Sequence, residues 1–184
     1  MSWCIYDLET DGLLKQVTQT FCLVIQDADR VYRFADEGKC SDDVDCSLLD
    51  GDIDAGLAQL QTYDLRAGHN ILAYDEKVLQ KLYDFHVEAE IQDTLILSRM
   101  IWPDLKDRDL KRLAKDPSFE KKLIGSHSLG AWGERLRFPK GDFNVVGLTS
   151  LSQECLDYCV QDVALNHRLW ELERKRMPEL EVPS

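Results

Sequence analysis

The chain has 184 residues, 44% of them hydrophobic and 30% charged, which is enough for one domain around a single sizeable core. No apolar run approaches the roughly 20 residues that span a bilayer, and no basic segment leads into an apolar one as in a secretory signal; no membrane association is expected, and the setting is expected to be cytoplasmic, in a bacterium or an infected host. The net charge of −12 works against a simple electrostatic grip on nucleic acid, but the excess is local: residues 1–92 carry 19 acidic and 7 basic side chains, residues 93–184 carry 15 of each.

In chain order, Trp3 to Leu8 is predicted as a strand beginning almost at the first residue. Thr20 to Gln26 and Val31 to Phe34 are two more, joined by a turn over Asp27 to Arg30, which makes a three-stranded meander. Cys40 to Asp54 is an acidic loop. Its Asp50-x-Asp52-x-Asp54 resembles the opening of a calcium loop, but Ala55 stands where such loops need Gly and Gln61 where they need Glu. A solvated loop is expected instead, with Asp54 capping a helix over Ala55 to Tyr63. Arg66 to Asn70 is a short strand, Glu76 to Phe85 a helix with apolar spacing at Val78, Leu79, Leu82 and Tyr83, and Ile91 closes a last short strand. Thr94 to Trp102 is a helix stopped by Pro103. Residues 104–125 form a charged stretch, Ser128 caps a helix through Leu136, and Phe138 to Gly147 is loop. A long helix from about Ser150 to Arg176 ends before Pro178. Strands followed by alternating helices and short strands give an α/β class, a mixed β-sheet flanked by α-helices. The six cysteines (4, 22, 40, 46, 155 and 159) form no C-x-x-C pair and read as reduced thiols; Cys155 and Cys159, at i and i+4, read as core packing rather than a metal site.

Three short motifs carry chemistry. In a strand, residues i and i+2 face one way, so Asp7 and Glu9 project together while Tyr6 and Leu8 face apolar packing. Adjacent carboxylates repel unless a cation lies between them. Tyr158 and Asp162, at i and i+4, share a face of the long helix beside apolar Cys155, Cys159, Val160 and Val163, and an acid in such a position needs a partner. Asp75 lies at a helix N-terminus, where the dipole favours its charge. Singly, each has a bland reading: a strand end, a salt bridge, a cap. Together they can hold two divalent ions, Mg²⁺ or Mn²⁺, which prefer oxygen ligands and clamp the attacking and departing oxygens of an in-line displacement at phosphorus. Asp7, Glu9 and Asp162 are assigned to the first ion. Asp7 bridges to the second, Asp75 supports that ion directly or through water, and Tyr158 orients the attacking water.

Asp7-x-Glu9, Asn70-x-x-x-Tyr74-Asp75 and Tyr158-x-x-x-Asp162 resemble the DEDDy branch of the 3′→5′ exonucleases, and most closely the proofreading domain of short-tailed phage family A DNA polymerases. The stretches Asp93-Thr-Leu-Ile-Leu-Ser-Arg-Met-Ile, Leu105-Lys-Asp and Gly125-Ser-His-Ser-Leu-Gly-Ala-Trp-Gly-Glu-Arg-Leu extend the likeness from about residue 4 to about residue 172. The resemblance implies a ribonuclease H-like fold over residues 1–184 as a single 3′→5′ exonuclease domain, two catalytic metals, a single-stranded or frayed 3′ end of DNA as substrate and nucleoside 5′-monophosphates as products. In those polymerases a large polymerase domain follows. Here the chain stops shortly after motif three, which fits a free-standing exonuclease, a subunit serving a separate DNA polymerase, or an excised domain. Asn70, Tyr74, His127, Lys106, Lys111 and Arg112 are candidate substrate contacts, with a loop or capping role as the alternative for His127 and a solvated charged face for the basic residues. Two other functions compete: an RNA 3′ exonuclease of the same chemistry, and an inactive module that binds nucleic acid or a replication protein.

Overall fold

The structure, a computed structural model, describes residues 1–86, 88–138, 143 and 148–177. Strands β1 (Trp3–Thr10), β2 (Thr20–Gln26) and β3 (Val31–Phe34) form the expected meander. Helix α1 (Ile53–Leu60) leads to β4 (Leu65–Gly68), α2 (Asp75–Tyr83) and β5 (Glu90–Asp93). Helices α3 (Thr94–Ile101), α4 (Leu105–Leu113), α5 (Leu129–Leu136) and α6 (Gln153–Arg176) complete the described chain. The sheet order is β3-β2-β1-β4-β5. β1 pairs antiparallel with β2 and parallel with β4, and β4 parallel with β5, so the sheet is mixed and β1 is its centre.

Both faces are covered. On one, Cys4, Tyr6 and Leu8 of β1 pack with Leu57 and Leu60 of α1 and Val78 and Leu79 of α2. On the other, Ile5 of β1 and Val24 of β2 pack under Cys155, Cys159 and Val163 of α6. Trp102, Leu105, Leu129 and Trp132 then pack α3, α4 and α5 onto Leu165 and Leu169 of α6. Because α6 lies directly over β1, its inner face and the outward i, i+2 row of β1 meet.

Two expectations change. Helix α1 begins at Ile53, capped by Asp52, whose carboxylate accepts the Ala55 amide at 2.8 Å. Asp54 falls in the first turn, because starting earlier buries Ile53. The charged stretch 104–125 contains a helix, α4, that keeps Leu105 and Asp109 inside. The loop expected over 138–147 lies outside the described residues except for Phe138 and Phe143, as does Pro178.

Near the end of α6, Glu173 is fully buried, and neither carboxyl oxygen has a hydrogen-bond partner among the described residues. Burial, reinforced by the charge of Asp93, pushes its carboxyl up to about 9. The folded value lies above the unfolded one, so the protonated carboxyl favours folding: its contribution is complete below about 4.5 and is lost as pH rises toward 9. Glu173→Gln should therefore be more stable than the wild type by roughly 1–3 kcal/mol near pH 8, with the difference shrinking toward pH 5. Urea denaturation at both pH values checks this.

Candidate active site

Asp7 and Glu9 leave β1 on the α6 side. Glu9 is 8% exposed, Asp7 somewhat more. The pairing of β1 with β2 shifts register between Glu9 and Thr10, so the sheet is irregular just beyond the second acid. One oxygen from each of Asp7 and Glu9 and the sulfur of Cys159 all lie within 4.8 Å of one another. Cys159 donates to the Asp7 carboxylate at 3.6 Å. Its thiol is held well above the usual range by burial and by the charges of Asp7, Glu9 and Asp162. Asp162, one turn further along α6, is thus part of the same charge cluster, and it is buried. Tyr158, beside Cys159, is half-buried, with its ring 5.6 Å from that of Phe143.

Asp75 reaches the cluster from α2. Burial and then the charge of Asp7 push its carboxyl well above the usual range; Glu9 adds to this, while hydrogen bonds from the backbone of Asp75 and Leu8 oppose it. Crowded carboxylates with one forced toward its neutral form are what a cation relieves. The donor set, carboxylate oxygens from β1, α6 and α2, suits a hard divalent ion.

The loop between β4 and α2 is set by three devices. A Cβ at Gly68 would fall 2.2 Å from Ile71 Cγ2 and 3.0 Å from Tyr6 O, so only glycine lets the chain fold back here. Asn70 adopts a left-handed backbone, φ 67°. Asp93, buried at the end of β5, accepts the amides of Asn70 (3.0 Å) and Leu72 (3.1 Å) and caps α3 through Leu95 (2.9 Å) and Ile96 (3.4 Å). One carboxylate therefore fixes motif two against the start of α3. Tyr74, expected to face substrate, has its hydroxyl engaged within the protein: it donates to Gly12 O at 2.5 Å and pairs with the Thr10 hydroxyl. It pins the loop after β1 to motif two. On those two loops Leu13 is 77% exposed and Leu72 44% exposed, an apolar flank that no sequence pattern marks.

Beside motif two a groove of about 750 Å³ is lined by His69, Asn70, Leu95, Arg99, Ser126 and His127. It brings Asn70 and His127 together and adds Arg99, which lies in the stretch after Asp93 but is not among the candidate contacts. His127 Nδ1 lies 3.0 Å from Ser98 Oγ, and that hydroxyl donates to Leu95 O. Burial, Arg135 and Arg99 hold the His127 imidazole below its ordinary value, hence neutral at pH 7. His69 Nδ1 lies 2.9 Å from Thr94 Oγ1, whose proton goes to Asn166 Oδ1 at 2.7 Å. Among the basic candidates, Lys106 and Lys111 are exposed on α4. Lys106 lies against Gly125 at the groove's edge, where an added Cβ would be 3.1 Å from its own Cβ. Arg112 is turned the other way, donating to the α5 carbonyls of Arg135 and Glu134 at 3.3 Å and lying over the Phe119 ring.

A mixed sheet with two acids on its central strand faces an acid-bearing helix and a fourth acid from α2, the arrangement that the motifs led to expect. The fold is ribonuclease H-like, and the chain is homologous to part of phage DNA polymerases. It is 34% identical to the DNA-directed DNA polymerase of Enterobacteria phage T3 and 33% identical to that of Escherichia phage T7, in each case over 91% of this chain and 26% of the relative. The chain thus spans about a quarter of the length of these relatives. No protein-family model matches it. Among solved structures it is similar to NrnC of Brucella melitensis. The form with bound Mg²⁺ has 20% identity and a TM-score of 0.58, and the form bound to pGG has 19% and 0.60; each covers 96% of this chain and 74% of that one.

Proposed function

We propose that residues 1–184 act as one metal-dependent 3′→5′ DNA exonuclease domain, proofreading or trimming ends and releasing nucleoside 5′-monophosphates. The observation that carries this is that Asp7 and Glu9 meet at the Cys159 thiol, on which the charges of Asp7, Glu9 and Asp162 all act, while burial and the charges of Asp7 and Glu9 push the Asp75 carboxyl well above its usual range. Asp7, Glu9 and Asp162 would hold the first ion; Asp7 and Asp75 would hold the second. Two Mg²⁺ or Mn²⁺ ions, when bound, supply an activated nucleophile and charge stabilisation at the departing oxygen. The bound NrnC ion and the acid cluster support a divalent cation here.

The chain's own groups do the rest. Tyr158, on the α6 face that carries Asp162, orients the attacking water through its phenol oxygen. Arg99 offers charge to phosphates entering the groove beside Asn70, and neutral His127, whose Nδ1–H goes to Ser98, offers Nε2 as an acceptor to a base or sugar donor. Leu13 and Leu72 give the terminal base an apolar surface. The substrate in this reading is a single-stranded or frayed 3′ end of DNA, which the similarity to phage DNA polymerases supports. Homology to phage polymerases supports a role beside a DNA polymerase, and a cytoplasmic place of action belongs to the same proposal. No described helix is long and apolar enough to cross a membrane.

Digestion of a 3′-labelled DNA single strand, a paired duplex, a 3′-mismatched duplex and a matched RNA, each with Mg²⁺ and with EDTA, tests the reading. Stepwise loss of the 3′ label from single-stranded and mismatched DNA, stopped by EDTA, is expected. An intact DNA strand in Mg²⁺ rejects it, and faster loss of RNA transfers the assignment to RNA. Replacing Lys106, Lys111 and Lys115 by Ala should also flatten the salt dependence of DNA binding, by about 0.7 in slope for each phosphate that is no longer neutralised. An unchanged slope removes α4 from the strand path.

A further inference from the structure

Away from the acids, a second cleft of about 280 Å³ opens where the end of α3, α4, α5 and the last turns of α6 meet. Its apolar walls are Trp102, Leu105, Trp132 and Leu172, and four arginines also line it: Arg108 and Arg112 of α4, Arg135 of α5 and Arg176 of α6. Asp109 neutralises Arg135. Arg112, by contrast, is held by carbonyls, which leave its charge intact, and Arg108 meets only the half-exposed Asp104. In a chain of net charge −12 this is a local reversal, an apolar hollow in positive surroundings. Its complement lies on the same molecule. Residues 42–52 hold five aspartates and no basic residue. Within them Leu48 is 48% exposed, close in sequence to the exposed Asp42, Asp43 and Asp45. An apolar side chain framed by carboxylates matches an apolar hollow framed by guanidiniums.

The two features cannot meet within one chain. The acidic segment is tied to the start of α6: the Ser41 amide donates to Leu151 O at 2.8 Å, and the Asp45 amide to Gln153 Oε1 at 3.0 Å. Leu172 and Arg176 lie at the other end of that helix, about 30 Å away at a rise of about 1.5 Å per residue. We propose that the cleft receives a second copy of this chain: Leu48 of one copy fills the hollow against Leu105 and Leu172 of the next, and the aspartates around it face the arginines. Removing Leu48 from water holds the contact, and the charges orient it. The contact is heterologous, so a bound pair still has one open cleft and one open loop, and copies line up head to tail. It uses none of the catalytic acids and stands apart from the exonuclease reading.

Sedimentation velocity of the full chain from about 1 to about 200 µM is the test, since a contact this small is expected at micromolar strength. The weight-average mass should rise with concentration and fall back in about 0.5 M NaCl, which screens the charges. Leu48→Ser and Arg108→Glu, both at exposed positions and both checked by circular dichroism, should each weaken self-association at least about tenfold. Asp42→Lys and Arg108→Ala replace whichever of them fails to fold. The decisive measurement mixes the two variants. Leu48→Ser keeps its cleft and Arg108→Glu keeps its loop, so together they should form a one-to-one dimer that neither makes alone and that cannot extend. A wild type that is monomeric over the whole range overturns the proposal, as does a variant that associates like the wild type or a mixture that stays monomeric. A monomeric wild type that binds a synthetic peptide of residues 41–52, with binding lost in Arg108→Glu, also overturns it and assigns the cleft to an acidic segment of another protein.

Discussion

Asp7→Ala should lose at least about a thousandfold in cleavage rate and still fold, and Asp162→Ala should do the same. Each removes a carboxylate assigned to a metal, and in the metal-free protein each also removes a repelling charge. Asp75 is the gauge of that repulsion: after burial, the charge of Asp7 is the largest influence raising its carboxyl. A folded value above the unfolded one means that the stability Asp75 contributes is complete below about pH 3.9 and is lost as pH rises through the folded value. Metal-free wild type should therefore weaken as pH rises above about 4, and Asp7→Ala should weaken less. Adding Mg²⁺ should raise the melting temperature of the wild type at pH 8 and leave Asp7→Ala nearly unmoved. Tyr158→Phe should lower the rate less than either change, since it takes away a positioning hydroxyl and no ligand. Timed digestion and thermal melts with and without Mg²⁺ measure all of this. Unfolding of both alanine variants would assign the acids to the fold instead.

The largest stability effect is expected far from the acids. Asp109→Ala should cost about 3–5 kcal/mol, because it leaves the Arg135 guanidinium buried without its counter-charge. Asp109 and Arg135 are 3% and 7% exposed and joined by two hydrogen bonds, Nε at 3.0 Å and Nη2 at 2.6 Å. Asp109 also accepts the Gly125 amide at 2.8 Å, and Arg135 donates to Ser126 O at 2.7 Å and Leu123 O at 3.1 Å. This network ties α4 to the loop that carries His127 and to α5. Its loss should loosen the groove as well as the fold, so KM for oligonucleotides should rise in Asp109→Ala under conditions where it remains folded. A double variant, Asp109→Leu with Arg135→Met, should recover most of the stability, since it removes both charges together. Urea denaturation of the single and double variants decides the matter.

The meander was readable because β1, β2 and β3 carry unbroken apolar or alternating runs between turn residues, and α6 because its apolar residues recur at helical spacing. Motifs one and three were readable for the same reason: period 2 and period 3.6 each put two named side chains on one face. Helix α4 was not readable. Its inner face is Leu105 and Asp109, and nothing local says that an aspartate is buried when the arginine that neutralises it is 26 residues away. Asp52 and Asp54 are equally good caps by composition; the burial of Ile53 chose between them. Nothing local marked that the Tyr74 hydroxyl would bond to Gly12 in the loop after β1.

By itself the sequence determined the α/β class and singled out the four acids and Tyr158 as candidates, because side-chain direction along a strand or helix follows from backbone period alone. The tertiary structure decided which groups share a point in space. The packing of α6 across β1 brought Cys159 beneath Asp7 and Glu9, the sheet edge gave Asp93 its four amides, and the contact of Ser98 on α3 with His127 put Arg99 beside that histidine. Such contacts join residues tens of positions apart, and the free energy that selects them, burial of both faces of one sheet, belongs to the whole fold and leaves no local trace.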